Sequence, residues 1–176
     1  MLNTFWMRAL LVPVAAIYMF PSGTANAAIP FSTYGWQRVA PVGAGFSIMM
    51  PGAPGVSTKT ETTGAGATTL HIACYENGGE SYCVAYNDYP VALDEAGSLK
   101  GIRDRRVGKG TLIADTAVTM NGHHGRLFTA MVDGRLLGCE IYLVGQRLYQ
   151  VLYASSNALQ GITHGAAFIK SFELTR

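Results

Sequence analysis

The sequence predicts an α+β domain: an antiparallel β-sheet covered by helices on both faces, an α/β/α sandwich. Three observations carry this expectation. Nine short runs rich in β-branched and aromatic residues are separated by turns containing Gly, Asn or Asp. Two windows place apolar residues at helical spacing. The segment RLLGCEIYLVGQRLYQVLYAS, residues 135–155, is apolar on both faces when folded as a hairpin, so it needs a layer on each side.

The domain is expected to start after a leader. Arg8 is the one charge before ALLVPVAAIYMF, residues 9–20, an uncharged apolar run followed by PSGTANA. Ala25 and Ala27 are the small residues a signal peptidase reads, so residues 1–27 have the layout of a secretory signal peptide. As a helix, the 9–20 run would rise only ~18 Å, short of a ~30 Å hydrocarbon core. The expected mature chain, 28–176, is a single exported domain without stable membrane insertion, periplasmic or extracellular. Loss of Arg8 takes its formal charge from +2 to +1. With no basic block, nucleic acid is excluded as a partner class.

Strands are expected at 36–40, 45–50, 56–62, 68–76, 81–87, 111–120, 126–132, 136–144 and 147–154. Asp133-Gly134 is a strong hairpin turn. In CYENGGESYC, residues 74–83, a turn on Gly78-Gly79 makes facing positions sum to 157 and sets Cys74 opposite Cys83 in a non-hydrogen-bonded pair. In an oxidising compartment that pair closes as a disulfide. A turn on Asn77-Gly78 would instead set Cys74 opposite Ser81 and lose the bridge. A turn on Gly145-Gln146 makes facing positions sum to 291, with Leu137, Cys139, Ile141 and Leu143 on one face and Tyr142, Tyr149, Val151 and Tyr153 on the other. Cys139 then reads as a buried, inert thiol.

The first helix is expected from an Asp94 cap to about Val107, with Ala92, Ala96, Leu99 and Ile102 at helical spacings and Gly108 just past its end. The second is expected from about Asn157 to Lys170, with Leu159, Ile162, Ala166 and Ile169 as its apolar stripe. His164 falls on its polar side with Gln160 and Ser171.

Candidate ligand-binding residues are few. His123 and His124, in NGHHGR, form the most suggestive cluster, but adjacent side chains in an exposed turn rarely converge on a metal, and only Asp115 and Asp133 lie near in sequence. Arg103 and Arg106, in RDRR, offer an anion site, although positive charge there also complements the end of a helix dipole. His71 would face Tyr86 in an ordinary cross-strand pair. No catalytic residue, metal site or cofactor is assigned: GAG at 64–66 lacks the lysine and helix of a phosphate loop, and no G-x-S-x-G elbow occurs.

FSIMMPGAP (46–54), YCVAYNDYP (82–90), IYLVGQRLYQVLY (141–153) and FIKSFEL (168–174), in that order, resemble a family of small exported bacterial proteins of unassigned function and, with the trailing helix, the PsbP-like fold. HHGRLF stands where that family has a Pro-Gly-Arg-Glu-like turn. The resemblance implies an antiparallel sheet sandwiched by helices. Better-known proteins of this fold bind other proteins, in photosystem assembly or with a small GTPase. The expected function is therefore a non-enzymatic accessory domain docking a protein or envelope component. The alternative is a periplasmic hydrolase with a site assembled from scattered His, Asp and Arg.

Overall fold

The computed structural model describes residues 35–175. The leader expected at 1–27 lies outside the described residues. The elements, in order, are β1 (Gln37–Val39), β2 (Phe46–Met50), β3 (Gly55–Thr63), β4 (Gly66–Asn77), β5 (Glu80–Asp88), α1 (Glu95–Val107), β6 (Thr111–Met120), β7 (His123–Val132), β8 (Arg135–Val144), β9 (Arg147–Ser155), α2 (Ala158–Lys170) and β10 (Glu173–Leu174). Seven strands make one antiparallel sheet in the order β3-β4-β5-β9-β8-β7-β6, and β1-β2-β10 form a small second sheet.

Tight turns set the registers. Gly78 and Gly79 both have positive φ, 57° and 83°, the conformation a two-residue hairpin turn demands. Cys74 therefore faces Cys83 and His71 faces Tyr86. The turn at Gly145-Gln146 sets Cys139 opposite Leu152 and Leu143 opposite Leu148. The β8–β9 hairpin is interior to the sheet, with β5 on one side and β7 on the other.

The expected α/β/α sandwich does not form. Strands take 56% of the described residues, and the two helices are only 13 residues each. The reason is size. Seven strands spaced ~4.8 Å apart make a sheet about 29 Å wide, whereas a 13-residue helix is ~20 Å long and ~10 Å across. Neither helix can cover such a face. One face is closed by α2, which packs on β8 and β9, together with β2 of the small sheet. On the other, α1 packs mainly on β7 and β8 and touches β6 and β9 through Arg103 and Arg106.

The closed face is aromatic. Tyr82, Tyr142, Tyr149 and Tyr153 meet Phe46, Phe168 and Phe172 there, each at most 4% exposed. Gly45, with φ +76°, lets the chain pass against Tyr149, whose hydroxyl donates to Ala44 O at 2.8 Å. β10 enters through Leu174, which pairs with Phe46. On the α1 side, Leu99, Ile102 and Val107 pack with Phe128, Cys139, Ile141 and Leu148. Asp94 caps α1 by accepting from Gly97 N at 2.7 Å, and Gly108 ends it.

Helix α2 is rotated from its expected phase. Its buried residues are Gly161, Gly165, Phe168 and Ile169, while Leu159 is 75% exposed. The two glycines let the helix backbone approach the sheet closely. A Cβ at Gly161 would lie 2.7 Å from Leu136 Cδ2, and one at Gly165 would collide with the Tyr153 ring.

Candidate functional site

Because α1 lies mainly over β7 and β8 and reaches no further than β9, the described residues leave the same face of β4, β5 and β9 open between α1 and the edge strand β3. The opening is a groove of ≈ 360 Å³. Alternation along each strand decides what lines it. The floor is aliphatic, with Leu70 and Ile72 from β4, Ala85 from β5 and Leu152 from β9, crossed by the Cys74–Cys83 disulfide. That bridge joins directly facing residues whose Cα atoms are 4.2 Å apart. Ile102, Arg105 and Arg106 of α1 form one wall, and Glu61 of β3 stands opposite.

Two buried amides give the floor its polarity. Asn87 is 2% exposed and donates through Nδ2 to Thr68 Oγ1 at 3.3 Å. Gln150 is 7% exposed, and its Oε1 accepts from Arg106 Nε at 3.1 Å and Nη2 at 2.7 Å. Among the described residues, Asn87 Oδ1 and Gln150 Nε2 have no partner, yet neither is sealed from solvent. The groove thus offers one acceptor and one donor on adjacent strands. Arg105, in the last turn of α1, makes no ion pair or hydrogen bond to a described residue and supplies a cation at the rim.

The two arginines singled out from the sequence are held in structural contacts. Arg103 pairs with Asp104 and, across to β6, with Asp115, which Arg126 Nε also meets at 2.9 Å. Burial acts to raise the Asp115 pKa, but Arg126 and Arg103 outweigh it and hold the carboxyl below its usual range. Arg106 is committed to Gln150. RDRR therefore does more than face a helix dipole: it ties α1 to the sheet at two points.

His123 and His124 are not in the turn expected for them. The turn is Asn121-Gly122, and the histidines are the first residues of β7, opposite Met120 and Thr119. Both line a depression of ≈ 270 Å³ with Leu93, Glu95 and Leu143, but neighbours on a strand send their side chains to opposite faces. His71 stacks on Tyr86 at 4.7 Å between ring centroids. Cys139 is fully buried, and its thiol pKa is pushed up to about 12 by that burial. Among the described residues, no three His, Cys, Asp or Glu side chains are grouped to hold a metal ion.

One cluster escaped the sequence reading. Glu80 accepts from Tyr153 Oη, and from Tyr82 Oη at 3.1 Å, while His164 Nδ1 lies 2.9 Å from Glu80 Oε1. His164 therefore faces the sheet rather than the polar side of α2. Burial first, then Glu80, through its charge at Tyr82 and its hydrogen bond at Tyr153, raise both tyrosine pKa values, so the phenols stay protonated and donate. The cluster is a clamp holding α2 on β5 and β9. Its signals were the i, i+2 spacing of Glu80 and Tyr82 and the register that sets Tyr153 beside Tyr82.

Comparison with known proteins agrees with this architecture. The chain is similar to the solution structure of cyanobacterial PsbP (CyanoP) from Synechocystis sp. PCC 6803, with a TM-score of 0.54 and 13% identity over 86% of this chain and 98% of that one. No family model and no curated protein matches the chain. At that identity the likeness shows the fold alone, and the fold is PsbP-like.

Proposed function

We propose that this chain is an exported, non-enzymatic accessory domain that docks a partner protein in the groove between α1 and β3. The observation that carries the reading is the pairing of an uncovered aliphatic floor with unpartnered amide groups of opposite sense, Asn87 Oδ1 and Gln150 Nε2, beside the free Arg105 guanidinium. An extended peptide segment has the matching chemistry. Apolar side chains would lie on Leu70 and Ile72, a backbone amide would meet the two side-chain amides, and an acidic group would reach Arg105. The PsbP-like fold supports an accessory role by analogy.

Export is supported by the leader pattern of residues 1–27 and by the disulfide, which persists in oxidising compartments. Protein recovered from the envelope of its host should begin Ala-Ile-Pro-Phe, and recovery of chains still starting at Met1 would count against it.

The docking reading is tested by photocrosslinking in that envelope. A photoreactive amino acid in place of Ile72 should give one discrete protein adduct, and the same group in place of the exposed Thr119 should give none. Arg105→Glu in the Ile72 background should remove the adduct. Equal labelling from both positions would overturn the reading.

A further inference from the structure

Among the described residues, the large sheet ends in two edges that no strand pairs with, and they are built differently. β6 is interrupted by a register shift between Leu112 and Ala114, the kind of bulge that blunts an edge. β3 pairs with β4 without a break, from Gly55 opposite Cys74 to Thr63 opposite Gly66. Residues 55–60 of β3 are all exposed. The two-residue turn makes Thr63 and Gly66 a hydrogen-bonded pair, and alternation along the ladder then turns the N–H and C=O of Val56, Thr58, Thr60 and Thr62 away from β4. Among the described residues, no strand pairs with those groups.

The side chains of β3 are self-complementary in one register. Lys59 and Glu61 lie on the groove face two residues apart and pair with each other at 3.2 Å. We propose that β3 is a dimerisation edge on which two copies of this chain pair antiparallel, Thr60 against Thr60, so that Lys59 of each faces the partner's Glu61.

In that register the outward backbone groups of Thr60 meet their own copies, and those of Thr58 meet the partner's Thr62. The other face then carries Thr–Thr cross-strand pairs, and the Lys–Glu pairs fall at non-hydrogen-bonded positions, where side chains approach most closely. Slipping the register by one pair in either direction sets Lys59 against Lys59, or Glu61 against Glu61. Charge thus selects a single alignment. The two-fold axis stands perpendicular to the sheet, so both grooves open on the same side, with their Glu61 walls adjacent. The proposal does not depend on what occupies the grooves.

Sedimentation of the purified chain over about 1 µM to 1 mM should show a monomer–dimer equilibrium. Lys59→Glu should weaken association by roughly tenfold or more, because each pair becomes Glu against Glu, and Glu61→Lys should do the same. The combined Lys59→Glu, Glu61→Lys variant restores both pairs and should recover the original constant. Thr60→Pro removes an outward N–H and should abolish the dimer. If that variant fails to fold, the charge series decides alone. Amides of Thr58, Thr60 and Thr62 should be protected from exchange in the dimer and open in Lys59→Glu. A chain that stays monomeric throughout, or a dimer indifferent to the charge exchange, would overturn the proposal.

Discussion

The two faces of the large sheet come from the same strands and end in opposite conditions. On β9, Tyr149, Val151 and Tyr153 point to the closed face and are at most 4% exposed. Their neighbours Leu148, Gln150 and Leu152 point the other way and line the groove. The closed face has two covering layers, a helix and a small sheet, and fills the space with interlocked rings such as Tyr82 against Phe168 at 5.4 Å. The open face has one short helix. Where its cover ends, aliphatic side chains are shorter, a covalent bridge ties β4 to β5, and buried amides keep groups unpaired. Among the described residues, no second layer lies over those strands on the face that carries the cross-link, so covalency there takes the place of packing.

The largest expected difference follows from that contrast. Phe168→Ala, in the closed layer, should cost about 3–5 kcal/mol, because a fully buried ring leaves a cavity its rigid aromatic neighbours cannot fill. Ile72→Ala, on the groove floor, should cost about 1 kcal/mol or less, since the side chain is only half-buried. Denaturant titration of both variants measures the gap, and equal losses would mean that the groove is closed in solution.

Next in size is the staple. The Cys74→Ser, Cys83→Ser double variant should stay folded and lose roughly 2–3 kcal/mol, the chain-entropy value for a loop of this length. Non-reducing peptide mapping should find Cys74 joined to Cys83 and Cys139 free. Cys139 lies two strands from Cys83, about 10 Å away across Leu152, beyond disulfide reach.

These two experiments probe features of unequal legibility. The disulfide and the β8–β9 register were readable because tight turns convert sequence position into facing pairs, as Gly78-Gly79 and Gly145-Gln146 show. The groove was not readable. It is a void left by the length of α1 relative to the sheet, and no residue pattern encodes it. Asn87, Gln150 and Arg105 gain meaning only from what surrounds them. The small sheet was hidden for another reason: β10 is two residues long and joins β2 across most of the chain. His164 was misplaced because α2 meets the sheet through glycines, which carry no hydropathy signal.

Glu140 gives a smaller effect of opposite sign. It lies on the closed face, 8% exposed, with the Tyr142 hydroxyl donating to it at 2.7 Å. Burial raises its pKa, and the Tyr142 hydrogen bond lowers it only in part. A carboxyl whose folded pKa lies above its unfolded value binds more protons when folded. Stability attributable to it is therefore highest in acid and falls as pH rises above the usual glutamate range. Glu140→Gln should thus stabilise the protein at neutral pH, by on the order of 1 kcal/mol or roughly 2–4 °C in Tm. The gain should vanish below the ordinary glutamate pKa, where both forms are neutral. A pH-independent gain would point to packing instead of charge.

The smallest expected effect tests the phase of α2, on which the closed face depends. Hydropathy spacing puts Leu159 on the packing stripe, where truncation would cost about 2 kcal/mol or more. In the structure Leu159 is 75% exposed, and Gly161 and Gly165 face the sheet instead. Leu159→Ser should therefore change stability by no more than ~0.5 kcal/mol. Gly165→Ala should be plainly destabilising, because its methyl would enter the Tyr153 ring. The loss should also move the Glu80 clamp, since Tyr153 donates to Glu80 and His164 sits one residue away on the same helix. Imidazole NMR shifts of His164 report that contact directly. They should be unchanged in Leu159→Ser and displaced in Gly165→Ala, and the reverse pattern would rotate α2 back to its hydropathy stripe.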